Sequence, residues 1–331
     1  MSREPAPHRL KRGLLLACKV ALSAGLIAVM LRSLDSRGVG LRLAGADWSA
    51  VGLSIAVALV LSLVHAVRWR RVIQAAEQEL DFPATVRLVF IGYFFNQTLP
   101  STVGGDAFRI WGSYRRGMPF GAAVGSVVLD RIVTLLALVL VSAVGLPWLL
   151  PLLPDPLSRL ALTLLIGAGL GGWVGLLALG QLPRAWLNWP GLRPIAAFSV
   201  LARRLWRQPV AMAQTLGLSV LGIGAFVLIV RILFRALGVD LAWADCWLLL
   251  PPVILVTAVP LSIAGWGVRE GAMVVAFGFI HIPPETAFTV SVLFGVVLTV
   301  ASLPGSVLWW ADVRARSRQP EEPAAVDPSR N

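Results

Sequence analysis

Charge is scarce in this chain. Asp, Glu, Lys and Arg make up 14% of its 331 residues, against roughly 25% in soluble domains. Lysine is nearly absent, with only Lys11 and Lys19. The two cysteines, Cys18 and Cys246, lie far apart in apolar surroundings and form no C-x-x-C pair. That spacing excludes a disulfide framework and a thiolate metal site. His8, His65 and His281 are isolated and form no metal-ligand spacing. No G-x-x-x-x-G-K-[ST] loop occurs, so nucleotide hydrolysis has no recognisable cradle here. No cofactor is therefore expected, and any work the protein does draws on a gradient or runs downhill.

What the chain holds instead is apolar sequence, at 57% of its residues. Runs such as Ser49–Val67, Ile132–Leu150, Leu160–Leu179 and Ala287–Trp310 reach the ~20 residues needed to cross a bilayer. At that depth water cannot satisfy the backbone, so the runs are expected as helices. They do not alternate apolar with polar, which excludes barrel strands. The formal charge of +12 does not signal nucleic acid, because the basic residues sit in short clusters between apolar runs. The first apolar run follows Arg9, Lys11 and Arg12 and lacks a small-x-small cleavage site, so it reads as a retained helix and not a signal peptide.

The fold expected is an all-α polytopic membrane protein of eight hydrophobic segments. Six full spans fall at about Gly13–Leu31, Trp48–Val67, Phe120–Leu150, Leu157–Leu179, Val210–Ile232 and Glu285–Ala311. Two further segments, 88–116 and 243–280, are broken by Pro and Gly and read as re-entrant or discontinuous helical hairpins. A cytoplasmic basic amino terminus over 1–12 and a cytoplasmic, polar tail over 313–331, expected to be disordered, flank the membrane domain, 13–312. This drawing places most of the 29 Lys and Arg on the inner side, including Arg68, Arg70 and Arg71 after the second span and the arginines of a loop expected over Gln181–Gln208. It leaves only Arg32, Arg37, Arg42, Arg159, Arg231 and Arg235 outside, with Lys19, Arg131 and Arg269 in the membrane. Such a bias sets both termini in the cytoplasm.

The broken segments then enter from opposite sides, and their breaks are alike. Pro100 is followed by Gly104, Gly105 and Arg109; Pro260 is followed by Gly265, Gly267 and Arg269. These prolines and glycines are the candidate hinges of an inverted repeat.

Charges in a span cost a few kcal/mol on insertion scales and so face protein or a water cavity. Arg109, Arg131 and Arg269 are the candidate ligands of a lipid phosphate, because guanidinium donors match phosphate oxygens. The alternative is internal pairing, Arg131 with Asp106 and Arg269 with Glu270 or Asp130. Asp106, Asp130 and Glu270 are accordingly candidate proton carriers or ion-pair partners. The amides of Gly104 and Gly105 open a helix and offer an anion site, or the glycines simply permit a tight turn capped by Asp106. Asn96 either meets a head group or satisfies backbone freed at Pro100.

The run Asn96-Gln-Thr-Leu-Pro-Ser-Thr-Val-Gly104-Gly105-Asp106-Ala-Phe-Arg109 resembles the signature of the lysylphosphatidylglycerol synthase transmembrane-region family, also called the flippase-like domain family. Arg68-Trp-Arg70, Asp130-Arg131 and the stretch from Pro260 to Glu270 fit the same family, over about Leu14–Asp312. The resemblance implies a stand-alone membrane member handling an anionic phospholipid or a polyprenyl-linked lipid in a bacterial inner membrane. The soluble aminoacyltransferase domain of the bifunctional relatives is expected to be absent, and its activity with it. Three functions remain open: a lipid or lipid-linked-saccharide translocase, a membrane-embedded lipid-modifying transferase, and a non-catalytic scaffold of a lipid-synthesis complex. The partners expected are membrane lipids, with a second copy or a lipid-synthesis protein beside them, and no nucleic acid.

Overall fold

The computed structural model describes residues 36–98, 104–179, 181, 193–258 and 267–317. The expected first span, Gly13–Leu31, and the hinge residues Pro100, Pro260 and Gly265 lie outside the described residues.

All regular structure among the described residues is helical, and we number it in chain order. A short helix α1 (Ser36–Ala44) leads into α2 (Trp48–Ala75). The first broken segment follows as α3 (Phe82–Thr98) and α4 (Gly104–Tyr114). Then come α5 (Phe120–Leu149), α6 (Pro156–Leu179), α7 (Arg193–Trp206) and α8 (Pro209–Ala236). The second broken segment is α9 (Trp243–Thr257) with α10 (Val268–Gly278), and α11 (Pro284–Ser302) and α12 (Pro304–Ser317) close the chain. Among the described residues, five stretches are long and apolar enough to cross a membrane: Trp48–Ala75, Phe120–Leu152, Pro156–Leu179, Pro209–Ala236 and Pro284–Arg314. This is an all-α, multi-pass membrane protein.

Two expectations are corrected. The segment after α6 is not all loop, because Arg193–Trp206 forms an amphipathic helix with Ala202 and Leu205 buried and Ile195, Val200 and Trp206 exposed. The second span does not end at Val67, because α2 runs two turns further and buries Arg68, Trp69, Val72 and Ile73. Its buried residues recur at Val51, Ser54, Ala58, Ser62, Ala66, Trp69 and Val72, with Leu61 beside them, the three-to-four spacing of one helix face. Asp47 caps this helix by accepting from the amides of Ser49 and Ala50. Together with the hydrogen bond from the Ser49 hydroxyl, which acts most strongly, they hold the Asp47 carboxyl below its usual pKa.

The order long, short, short, long runs twice. Trp48 to Pro209 and Phe82 to Trp243 are both 161 residues, while Gly104 to Val268 and Phe120 to Pro284 are both 164. The packing repeats as well. Helices α2 and α8 pack on each other, α4 lies between α3 and α5 as α10 lies between α9 and α11, and α5 meets α9 as α11 meets α3. The leading pair is antiparallel: the Asp47 amide at the start of α2 donates to Ala236 O at the end of α8 at 2.9 Å, and Gln208 Nε2 donates to Ala75 O at 3.3 Å. Antiparallel partners leading two like-ordered sets of helices are what an inverted repeat produces.

Candidate functional site

The break in the first repeat is built on a close backbone approach. Gly105, the second residue of α4, lies against Gly92 of α3, and a Cβ there would drive into the Gly92 carbonyl. Its amide donates to Asn96 Oδ1 at 2.9 Å. In this geometry Asn96 satisfies one of the amides that a helix start leaves open, so the glycine permits the close approach and the asparagine caps the helix start.

This approach carries α4 across α3 and sets Asp106 and Arg109 against α2 and α5. Five ionised side chains then meet. Arg68 Nε donates to Asp130 Oδ1 at 2.9 Å and Nη2 to Oδ2 at 3.3 Å. Arg109 Nη2 donates to the same Oδ2 at 3.0 Å. Arg131 Nε and Nη2 grip both oxygens of Asp106 at 2.9 and 3.0 Å. Arg109 Nη1 reaches Asp106 Oδ1 at 3.5 Å and so links the two carboxylates. The guanidinium of Arg109 lies 4.0 Å from the centre of the Trp69 ring, a stacking that a desolvated arginine favours. Ser219 of α8 accepts from Arg68 Nη1 at 3.5 Å.

Three guanidiniums and two carboxylates leave a formal excess of one positive charge. Burial is graded across the cluster. The Asp130 side chain is 2% exposed and Arg109 8%, whereas Asp106 is 17% and Arg131 50% exposed. Arg109 Nε is buried with no hydrogen-bond acceptor, which is costly at this depth. Beside the cluster, the His65 ring hydrogen-bonds the Tyr93 hydroxyl.

The second break has another character. Glu270 Oε1 accepts from Arg269 Nη2 at 2.7 Å, Arg269 Nε at 3.2 Å and the Ser291 hydroxyl at 3.2 Å. Its Oε2 takes the Gly267 amide. Gly267 has φ +87, a left-handed conformation that favours glycine. Arg269 and Glu270 are both buried and balance each other in charge.

The chain matches the model of the Lysylphosphatidylglycerol synthase TM region over residues 16–305. It belongs to that family. No curated protein matches it. Among the residues singled out from sequence, Arg109, Arg131, Asp106 and Asp130 come together at the first break of this family member, with Asn96 and Gly105 at its hinge. Gly104 opens α4 alongside them. Arg269, Glu270 and Gly267 form a separate group on α10 and α11. Arg131 pairs with Asp106, and Arg269 pairs with Glu270.

Sequence reasoning missed the role of Arg68, which it placed in an interfacial basic cluster. Arg109 likewise belongs to the interior, not to the inner-surface charge. The signal for Arg68 was present. It follows Leu61 by seven residues and precedes Val72 by four, so the helical stripe that buries those residues includes it.

Proposed function

We propose that the protein is a lipid translocase of the bacterial inner membrane, with both termini cytoplasmic, and that it moves a lipid with an anionic phosphate head group. The observation that carries this reading is the Arg68–Arg109–Arg131 cluster at the break of the first hairpin. It holds excess positive charge, a buried guanidinium nitrogen without an acceptor, and one half-exposed arginine facing outward. A phosphate meeting Arg131 would gain charge-assisted hydrogen bonds, while the acyl tails stay in the bilayer. Membership of a lipid-related membrane family points the same way. The antiparallel setting of the two like-ordered repeats would give a means of exchanging access between the two leaflets. A transferase reading finds no base in Asp130, both of whose oxygens are held by buried guanidiniums.

The test is transbilayer movement in proteoliposomes. We expect the protein to accelerate exchange of head-group-labelled phosphatidylglycerol or a polyprenyl phosphate over protein-free vesicles, and to favour either over a phosphate-free, head-group-labelled glycosyl diacylglycerol by about tenfold, the worth of one charged contact. Equal rates for all three head groups, or no rate above empty vesicles, would remove the phosphate-specific translocase reading.

A further inference from the structure

The two carboxylates of the arginine cluster are not equivalent. Asp130 is sealed in, with both oxygens accepting from Arg68 and Arg109. Removing it would leave two buried cations without their counter-ion. Asp106 sits at the outer edge, and its main partner, Arg131, is half exposed. The Arg131 fork holds both Asp106 oxygens through Nε and Nη2, at 2.9 and 3.0 Å. Two oxygens of a phosphate fit that same fork.

We propose that Asp106 is an internal stand-in for the lipid phosphate, occupying the Arg131 and Arg109 donors until a phosphate ester displaces it. The proposal rests on the translocase reading above and names the exchange by which that site would load. Displacement costs little because Asp106 has somewhere to go. It is the third residue of α4, where the positive end of the helix dipole favours a carboxylate. Arg131 loses no stability through burial on exchange, since it is already in contact with the surroundings. The incoming phosphate also offers an acceptor oxygen to Arg109 Nη1, which Asp106 meets only at 3.5 Å. Glu270 does not repeat the arrangement in the second half. It is 1% exposed and tied by the Gly267 amide as well as by Arg269. The ligand class that follows is a phosphate mono- or diester, and the competing group is a carboxylate of the protein itself.

The test uses the full chain in detergent micelles, titrated with short-chain phosphatidylglycerol and, separately, with inorganic phosphate. Asp106→Asn keeps the shape of the side chain and removes its charge. It is expected to bind the short-chain lipid about tenfold tighter than the wild type, the effect of releasing one charged contact. Asp106→Ser, which keeps a helix-capping group, is expected to show the same gain. Combining Asp106→Asn with Arg131→Ala is expected to abolish it. Unchanged or weaker binding by both Asp106 variants, in protein whose wild type binds and moves the lipid, would overturn the stand-in role. A gain for inorganic phosphate with none for the lipid would overturn the lipid assignment. Failure of the wild type to bind or move any anionic lipid would strike instead at the translocase reading beneath it.

Discussion

Replacing Asp130 with alanine is expected to destabilise the protein by about 3–5 kcal/mol, the cost of removing one partner from a buried charge pair. Arg68 and Arg109 would keep their charges at 6% and 8% exposure and lose the acceptor they share. Arg68 would retain only the long contact to Ser219. The penalty is desolvation left uncompensated, and it falls on the junction of α2, α4 and α5. Thermal unfolding in detergent reads it directly as a large drop in Tm. The same measurement on Arg131→Ala should show a smaller change, because Asp106 keeps Arg109 within reach and no buried cation loses its counter-ion. If the two variants unfold at the same temperature, the graded burial of the cluster does not describe its energetics.

The second large effect is expected at Gly105. A methyl group there collides with the Gly92 carbonyl of α3, and a backbone atom has no rotamer in which to retreat. Helices α3 and α4 would have to separate, drawing the Gly105 amide from Asn96 and shifting Asp106 and Arg109 with it. Overpacking of this kind typically costs about 1–3 kcal/mol. The displacement should also lower lipid transport beyond what the stability loss explains, since positioning the arginine fork depends on that approach. Gly171→Ala on α6 is the control, with open space where its Cβ would stand. It should leave both Tm and transport near wild type. Equal behaviour of the two variants would argue that the hinge does not depend on close approach.

The breaks were legible in the sequence because clustered proline and glycine interrupt the helical hydrogen-bond ladder, which an apolar segment at membrane depth otherwise keeps whole. Helix α4 begins at Gly104 and α10 at Val268, one residue after Gly267. The pairings of Arg131 with Asp106 and of Arg269 with Glu270 were among the alternatives, since a charge inside a span needs a partner. Choosing Glu270 over Asp130 for Arg269 required the fold, because α10 and α11 place Arg269 beside Ser291 and away from the α5 carboxylate. Arg68 was misread because it follows an apolar run and opens a basic cluster, the usual mark of an interface. Helical periodicity alone would have extended α2 and placed it inside. Helix α7 was hidden because its 14 residues carry Arg193, Arg203 and Arg204 and fall short of a span.

The central claim is that the arginine cluster holds the lipid that is moved, and Arg131 is the residue on which to test it. Its exposed side allows Arg131→Ala to fold, so lost transport can be separated from lost structure. The measurement is the rate of head-group-labelled phosphatidylglycerol exchange in proteoliposomes, with the Tm of each preparation taken alongside. The account predicts a fall of about tenfold or more, the loss of a charge-assisted contact, at a Tm close to wild type. Exchange at the wild-type rate by folded Arg131→Ala protein would contradict it.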